Sequence, residues 1–175
     1  MEEPACPLCG DTQMRRTKAL YGRIVCRRCW AGFHRRRQIA WIIDAILLGL
    51  LGFILAELAR VPLPEDSFPS RDDWPWYAIL SGLLGLKDVF GGRSLGKAIC
   101  GLQVVDRESD APAWPHQSIL RNCFLSIPLL VVIEGYLMAG GPRIGDAIAR
   151  TRVIWTRYRD NQVFAGVAGV AKVFE

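Results

Sequence analysis

Twenty-one residues from Ile39 to Ala59, interrupted only by Asp44 and Glu57, leave few folds open to this chain. As a helix rising ~1.5 Å per residue the run reaches about 30 Å, the thickness of a bilayer's hydrocarbon core. Arg35, Arg36 and Arg37 stand immediately before it, and Glu65, Asp66, Asp72 and Asp73 follow. Basic residues stay on the cytoplasmic side, so the N-terminus is expected inside the cell and residues 60 to 73 outside. Because 38 residues precede the run, it reads as a retained anchor rather than a cleaved signal peptide. Apolar residues form 51% of the chain and charged residues 22%, which excludes a disordered chain. Of the 22 Lys and Arg, nine lie in residues 1–38 and six in residues 143–175. Basic charge that flanks apolar spans fits a membrane protein better than a nucleic-acid-binding face.

A second span is expected from Trp76 to about Phe90, returning the chain to the cytoplasm at Lys87 and Asp88. Trp74-Pro75-Trp76-Tyr77 supplies an interfacial aromatic belt at its start. Residues 117 to 139 are apolar again, but Arg121, Asn122, Pro128 and Glu134 interrupt them. Pro128 removes a backbone donor, so this third segment is expected to break and fold back, keeping the basic tail inside. Outside the spans, Gly101 to Asp106 and Thr151 to Thr156 read as short strands that pair with one another on the cytoplasmic side. The fold class expected is an α-helical integral membrane protein, with two clear transmembrane helices, a third Pro-broken segment and a small N-terminal zinc ribbon. Its parts are residues 1–30 (ribbon), 31–156 (membrane domain) and 157–175 (C-terminal tail).

Cys6, Cys9, Cys26 and Cys29 form C-x2-C, sixteen residues, C-x2-C. Each short gap brings two thiolates to one ion, and the long gap lets a second knuckle complete a tetrahedron. Tyr21 to Val25 reads as a strand within that gap. The alternatives are two disulfides, which need an oxidising compartment, and redox chemistry, which normally uses a single C-x-x-C. Zinc held by four thiolates has no open position, so it is expected to be structural. Some thirty residues cannot bury enough core to fold alone, and the metal supplies the missing stability. Cys100 and Cys123 are expected as free, buried thiols.

Asp44 lies where an ionised carboxylate is expensive, so it needs a partner in protein or water. Arg37, seven residues earlier, shares its helix face but sits about 10 Å away along the axis. Both are expected to address a common neighbour in Arg143-Ile144-Gly145-Asp146, as an ion or proton site or as a structural ion-pair network. Gly91-Gly92-Arg93-Ser94-Leu95-Gly96-Lys97 satisfies G-x4-G-K, but Ala98 stands where a phosphate-binding loop carries Ser or Thr. With only His34 and His116 present, no catalytic constellation stands out, and neither an enzyme nor a small-molecule cofactor is expected.

These segments together resemble the RDD family of membrane proteins. The likeness rests on Gly32-Phe33 through Arg37, Ala40 and Asp44; on Ser94-Leu95-Gly96-Lys97 through Gly101-Leu102-Gln103-Val104-Val105; on Leu120-Arg121-Asn122; and on Arg143-Ile144-Gly145-Asp146 through Thr151-Arg152-Val153. One extra residue separates Phe33 from the aligned Arg37. The resemblance implies that Arg37, Asp44 and Asp146 are the family's Arg and two Asp, in a bacterial inner-membrane protein. It also implies a transport-like function, since some relatives are associated with sodium/proton exchange. Two and a half helices cannot enclose an aqueous path, so cation or proton translocation would need a homo-oligomer or a protein partner. The rival is a non-transporting adaptor whose cytoplasmic ribbon binds a protein, with its Arg-rich surface on anionic lipid. A ribbon that touches nucleic acid through Arg27, Arg28 and Trp30 ranks last.

Overall fold

A computed structural model describes residues 5–12, 16–59, 74–89, 91–123, 144–161 and 163–164. Its first elements are a hairpin, β1 (Thr17–Leu20) and β2 (Arg23–Cys26), paired antiparallel with Thr17 opposite Cys26. The turn is Tyr21-Gly22, both at positive φ, the backbone that a tight two-residue hairpin demands. Tyr21 therefore turns the chain, where the sequence pattern placed it in a strand. An aromatic residue at φ 50° needs support, and its hydroxyl donates to the Val153 carbonyl at 2.8 Å while its ring packs edge-on against Phe33.

Helix α1 runs unbroken for 33 residues from Arg27 to Ala59. Its first turns bury Cys29, Phe33, His34 and Arg37. The boundary expected after residue 30 thus falls within a continuous helix. Farther along, Ile46, Leu50, Phe53 and Leu58 are exposed, and only 22% of the most apolar window is buried. A core helix of a soluble domain would hide that surface; here it is left for another apolar medium. Among the described residues this is the one helix long and apolar enough to cross a membrane.

Helix α2 spans Trp74–Leu86, 13 residues and about 20 Å at the helical rise. The expectation of two clear spans is corrected on that ground: α2 is too short to cross the hydrocarbon core alone. It lies against α1, with the Trp76 and Leu83 side chains beside Gly52. Gly49, Gly82 and Gly85 make no comparable approach.

The remaining elements are α3 (Leu95–Ile99), β3 (Leu102–Asp106), α4 (Pro115–Asn122), α5 (Ile144–Ile148) and β4 (Thr151–Trp155), followed by a short 3-10 turn at Thr156–Tyr158. β3 and β4 pair antiparallel, Leu102 opposite Trp155 and Asp106 opposite Thr151, as their β-branched sequences predict. Pro115 opens α4 at a position that needs no donor, and the Trp114 N–H donates to the Gln117 side chain at 3.0 Å. Residues 117 to 122 thus belong to a short helix with buried polar residues; the continuation to 139, including Pro128 and Glu134, lies outside the described residues.

The ribbon is not a separate bead. One apolar core joins Cys6, Leu20 and Val25 to Phe33, Leu102, Val153 and Phe164. Asn161 donates to the Pro7 carbonyl at 2.6 Å, and Arg36, over the Trp155 ring, donates to the Cys100 carbonyl at 3.1 Å. Ribbon, sheet and the first turns of α1 form one head. Cys100 is a buried free thiol as expected, whereas Cys123 is free and exposed, lying at the outer end of α4.

Candidate metal centre and buried charge network

The four cysteines of the two C-x2-C pairs converge. Their sulfurs all lie within 4.8 Å of one another, with Cys9 and Cys26 Sγ at 3.7 Å. A tetrahedral ion with ~2.3 Å bonds sets its sulfurs about 3.8 Å apart, so the cluster matches that donor set. None of the four is disulfide-bonded. The Cys26 N–H donates to Cys6 Sγ and the Cys29 N–H to Cys26 Sγ, the backbone pattern that favours thiolates. Burial pushes the Cys6 thiol up, but N–H donors at Cys26, Cys9 and Leu8 outweigh it and bring it down to about 7. Burial pushes Cys29 up, and the neighbouring sulfurs of Cys26 and Cys9 push it further. Crowded thiolates repel, and a cation at their centre removes the conflict. The chain therefore carries a cysteine cluster placed to hold a metal ion, in a zinc-ribbon-like module.

The second cluster is made of charges. Arg37, Asp44, Asp88, Lys97, Arg121 and Asp146 are each at most 4% exposed. Arg37 Nη2 stands 3.7 Å from Asp146 Oδ2, and Arg121 Nη2 stands 3.0 Å from Asp146 Oδ1. Arg121 also reaches Asp88 at 3.9 Å, and Lys97 Nζ forms an ion pair and hydrogen bond with Asp88. Asn122 donates to the same Asp88 carboxylate at 3.3 Å, and the Ser118 hydroxyl to the Asp88 carbonyl at 3.0 Å. Asp44 accepts from the Ser94 hydroxyl at 2.5 Å and from the Gly96 N–H at 2.8 Å. Three acids face three bases, the condition under which burial of charge is tolerated.

Backbone proximity explains two motif glycines. A Cβ at Gly96 would overlap the Ala40 carbonyl oxygen, and one at Gly145 the Arg121 carbonyl oxygen. These glycines let α3 dock on α1 and α5 dock on α4. Gly96→Ala is expected to cost about 1–3 kcal/mol through overpacking, seen as a lower thermal midpoint in detergent.

The structure places Arg37 beside Asp146. It sends Asp44 instead to the Ser94–Lys97 segment, so the expected common neighbour is not shared. Asp88, Lys97 and Arg121 complete the network, although nothing in their local sequence marks them for it. Lys97 closes the phosphate-loop look-alike, yet its ammonium is buried against Asp88 and Ser94 caps a five-residue helix. His34 is buried against Trp30, ring centroids 4.1 Å apart, whereas His116 is exposed.

A head built round four cysteines placed to hold a metal ion, with one long apolar helix rising out of a buried charge network, is the architecture of a membrane-associated class of protein. The RDD family model matches residues 30–149, and the chain belongs to the RDD family, which is membrane-associated. No curated protein and no solved structure matches it.

Proposed function

We propose that the protein is a membrane-anchored adaptor of the bacterial inner membrane, with its zinc-stapled head in the cytoplasm holding a protein partner. One observation carries this reading: all three acids of the buried network are engaged by basic side chains or hydrogen-bond donors of the chain itself. Such a network works as a joint between membrane helix and head. Arg35 to Arg37 before the apolar run favour a cytoplasmic head. Gly52 abuts Leu83, and Asp44, nearer the head, abuts Ser94, so α2 runs back along α1 towards the head. This supports a second segment, α2, that dips into the membrane beside α1. Four thiolates suit zinc in a closed structural site. On the ribbon, Ile24, opposite Ala19 in the hairpin, is 61% exposed, a small apolar spot that a protein partner would cover.

The transport-like reading has one observation in its favour. A cavity of about 10 Å³ touches Arg37, Asp44 and Lys97. That is at the lower limit for a single water, and an oligomer would have to extend it into a path.

Two measurements separate these readings. Cation-driven proton flux in proteoliposomes is expected to equal that of protein-free vesicles for both wild type and Asp44→Asn. A photo-crosslinking amino acid at Ile24 is expected to give a discrete protein adduct in cells, lost in Cys26→Ser. Flux that Asp44→Asn abolishes, without an Ile24 adduct, would overturn the adaptor and restore ion translocation.

A further inference from the structure

A groove of about 540 Å³ runs between α1, α2 and α3, separate from the cysteine cluster. Its volume is that of a small-molecule site. The composition of its walls changes along its length. Leu47 and Leu51 of α1, facing Leu83 and Leu86 of α2, line the part away from the head; Lys87, Arg93 and Ser94 line the end nearest it. The distance from Asp44 to Leu51 along α1 is about 10 Å, so the polar and apolar ends are separated by two helical turns. Asp44 also reaches the polar end, but its oxygens accept from Ser94 and Gly96. Arg93 is exposed and spends one donor on the Gln103 side chain, at 3.0 Å, with the rest of its guanidinium fork left over for an anion.

We propose that this groove binds one glycerophospholipid with an anionic headgroup. Its phosphate would sit at Lys87 and Arg93, and one acyl chain would lie along Leu47, Leu51 and Leu83. The match is in polarity and in placement. Two basic side chains stand where the membrane helix meets the head, the level of lipid phosphates, and leucines continue from there into the hydrocarbon layer. The inference rests on the chain's membrane association and is independent of whether the head holds a partner.

The test uses the full-length, metal-loaded protein in nanodiscs doped with phosphatidylglycerol or phosphatidylcholine carrying a photoreactive group on the acyl chain. Peptide mass spectrometry then locates the adducts. Labelling of residues 47–51 and 83–87 is expected to favour phosphatidylglycerol by about 25-fold, each basic residue contributing about fivefold. The preference should vanish in Lys87→Gln/Arg93→Gln. If that variant fails to fold, the comparison of headgroups on wild type still decides. Equal labelling by both headgroups would reduce the groove to ordinary boundary lipid and overturn the proposal. Absence of adducts in the groove with either probe would also overturn it.

Discussion

Chelating the metal, or replacing Cys26 by Ser, is expected to unfold the head while leaving α1 helical in the membrane. Cys26 ends β2 and shares a core with Val25, Phe33, Val153 and Phe164. A four-residue hairpin strand pair buries too little surface to persist without its staple. Structural zinc in such modules contributes of order 10 kcal/mol of folding free energy at neutral pH, more than a head of this size has to spare. Hydrogen exchange should therefore lose protection together at residues 17–26 and at Val153, whose carbonyl receives the Tyr21 hydroxyl. Protection that survives at Val153 after complete metal loss would mean that the sheet and α1 fold without the ribbon.

The pH dependence follows from the thiols. Because the metal-free head is expected to unfold, its four thiols return to the ordinary cysteine value of about 8.5 and are mostly protonated at neutral pH. Metal binding must displace the protons that remain. Affinity is then expected to rise with pH until the free thiols ionise, about tenfold per unit for each proton released, and to fall on acidification. A competition titration with a chromogenic chelator reads this slope directly. A flat profile through neutral pH would show that these sulfurs are not the ligands.

What could be read in the sequence divides along physical lines. The cysteine spacing, the apolar run and the β-branched strand pair are local patterns, and each appears in the structure where its pattern lies. Arg37 and Asp146 were legible as charges that need partners. Asp88 was not, because nothing local distinguishes a buried carboxylate from one marking a helix end; only the arrival of Lys97 and Arg121 from two other elements does so. The second span was overread because hydropathy reports composition and not where the helix stops. Tyr21 was misplaced because its turn geometry is bought by a contact 132 residues away. The separation of ribbon from membrane domain looked natural in sequence, yet Cys29 and Asp44 stand on one helix.

That shared helix gives the buried network its consequence. Asp146→Asn is expected to destabilise the fold by about 3–5 kcal/mol, since it leaves Arg37 and Arg121 buried without the anion between them. Arg121→Met should be milder. Both acids that Arg121 touches retain another cation, Arg37 for Asp146 and Lys97 for Asp88. The double variant Asp146→Asn/Arg121→Met restores two acids to two bases, so it should be more stable than Asp146→Asn alone. A coupling energy of about 1–3 kcal/mol is expected from the cycle, measured as denaturant midpoints in detergent. Additive effects would mean that the charges do not act as one joint. Asp146→Asn that left stability intact would go further: a carboxylate that the fold does not need is available for a cation. Stability measured on these three variants, beside proton flux on Asp44→Asn, thus separates a network that holds the molecule together from one that moves ions.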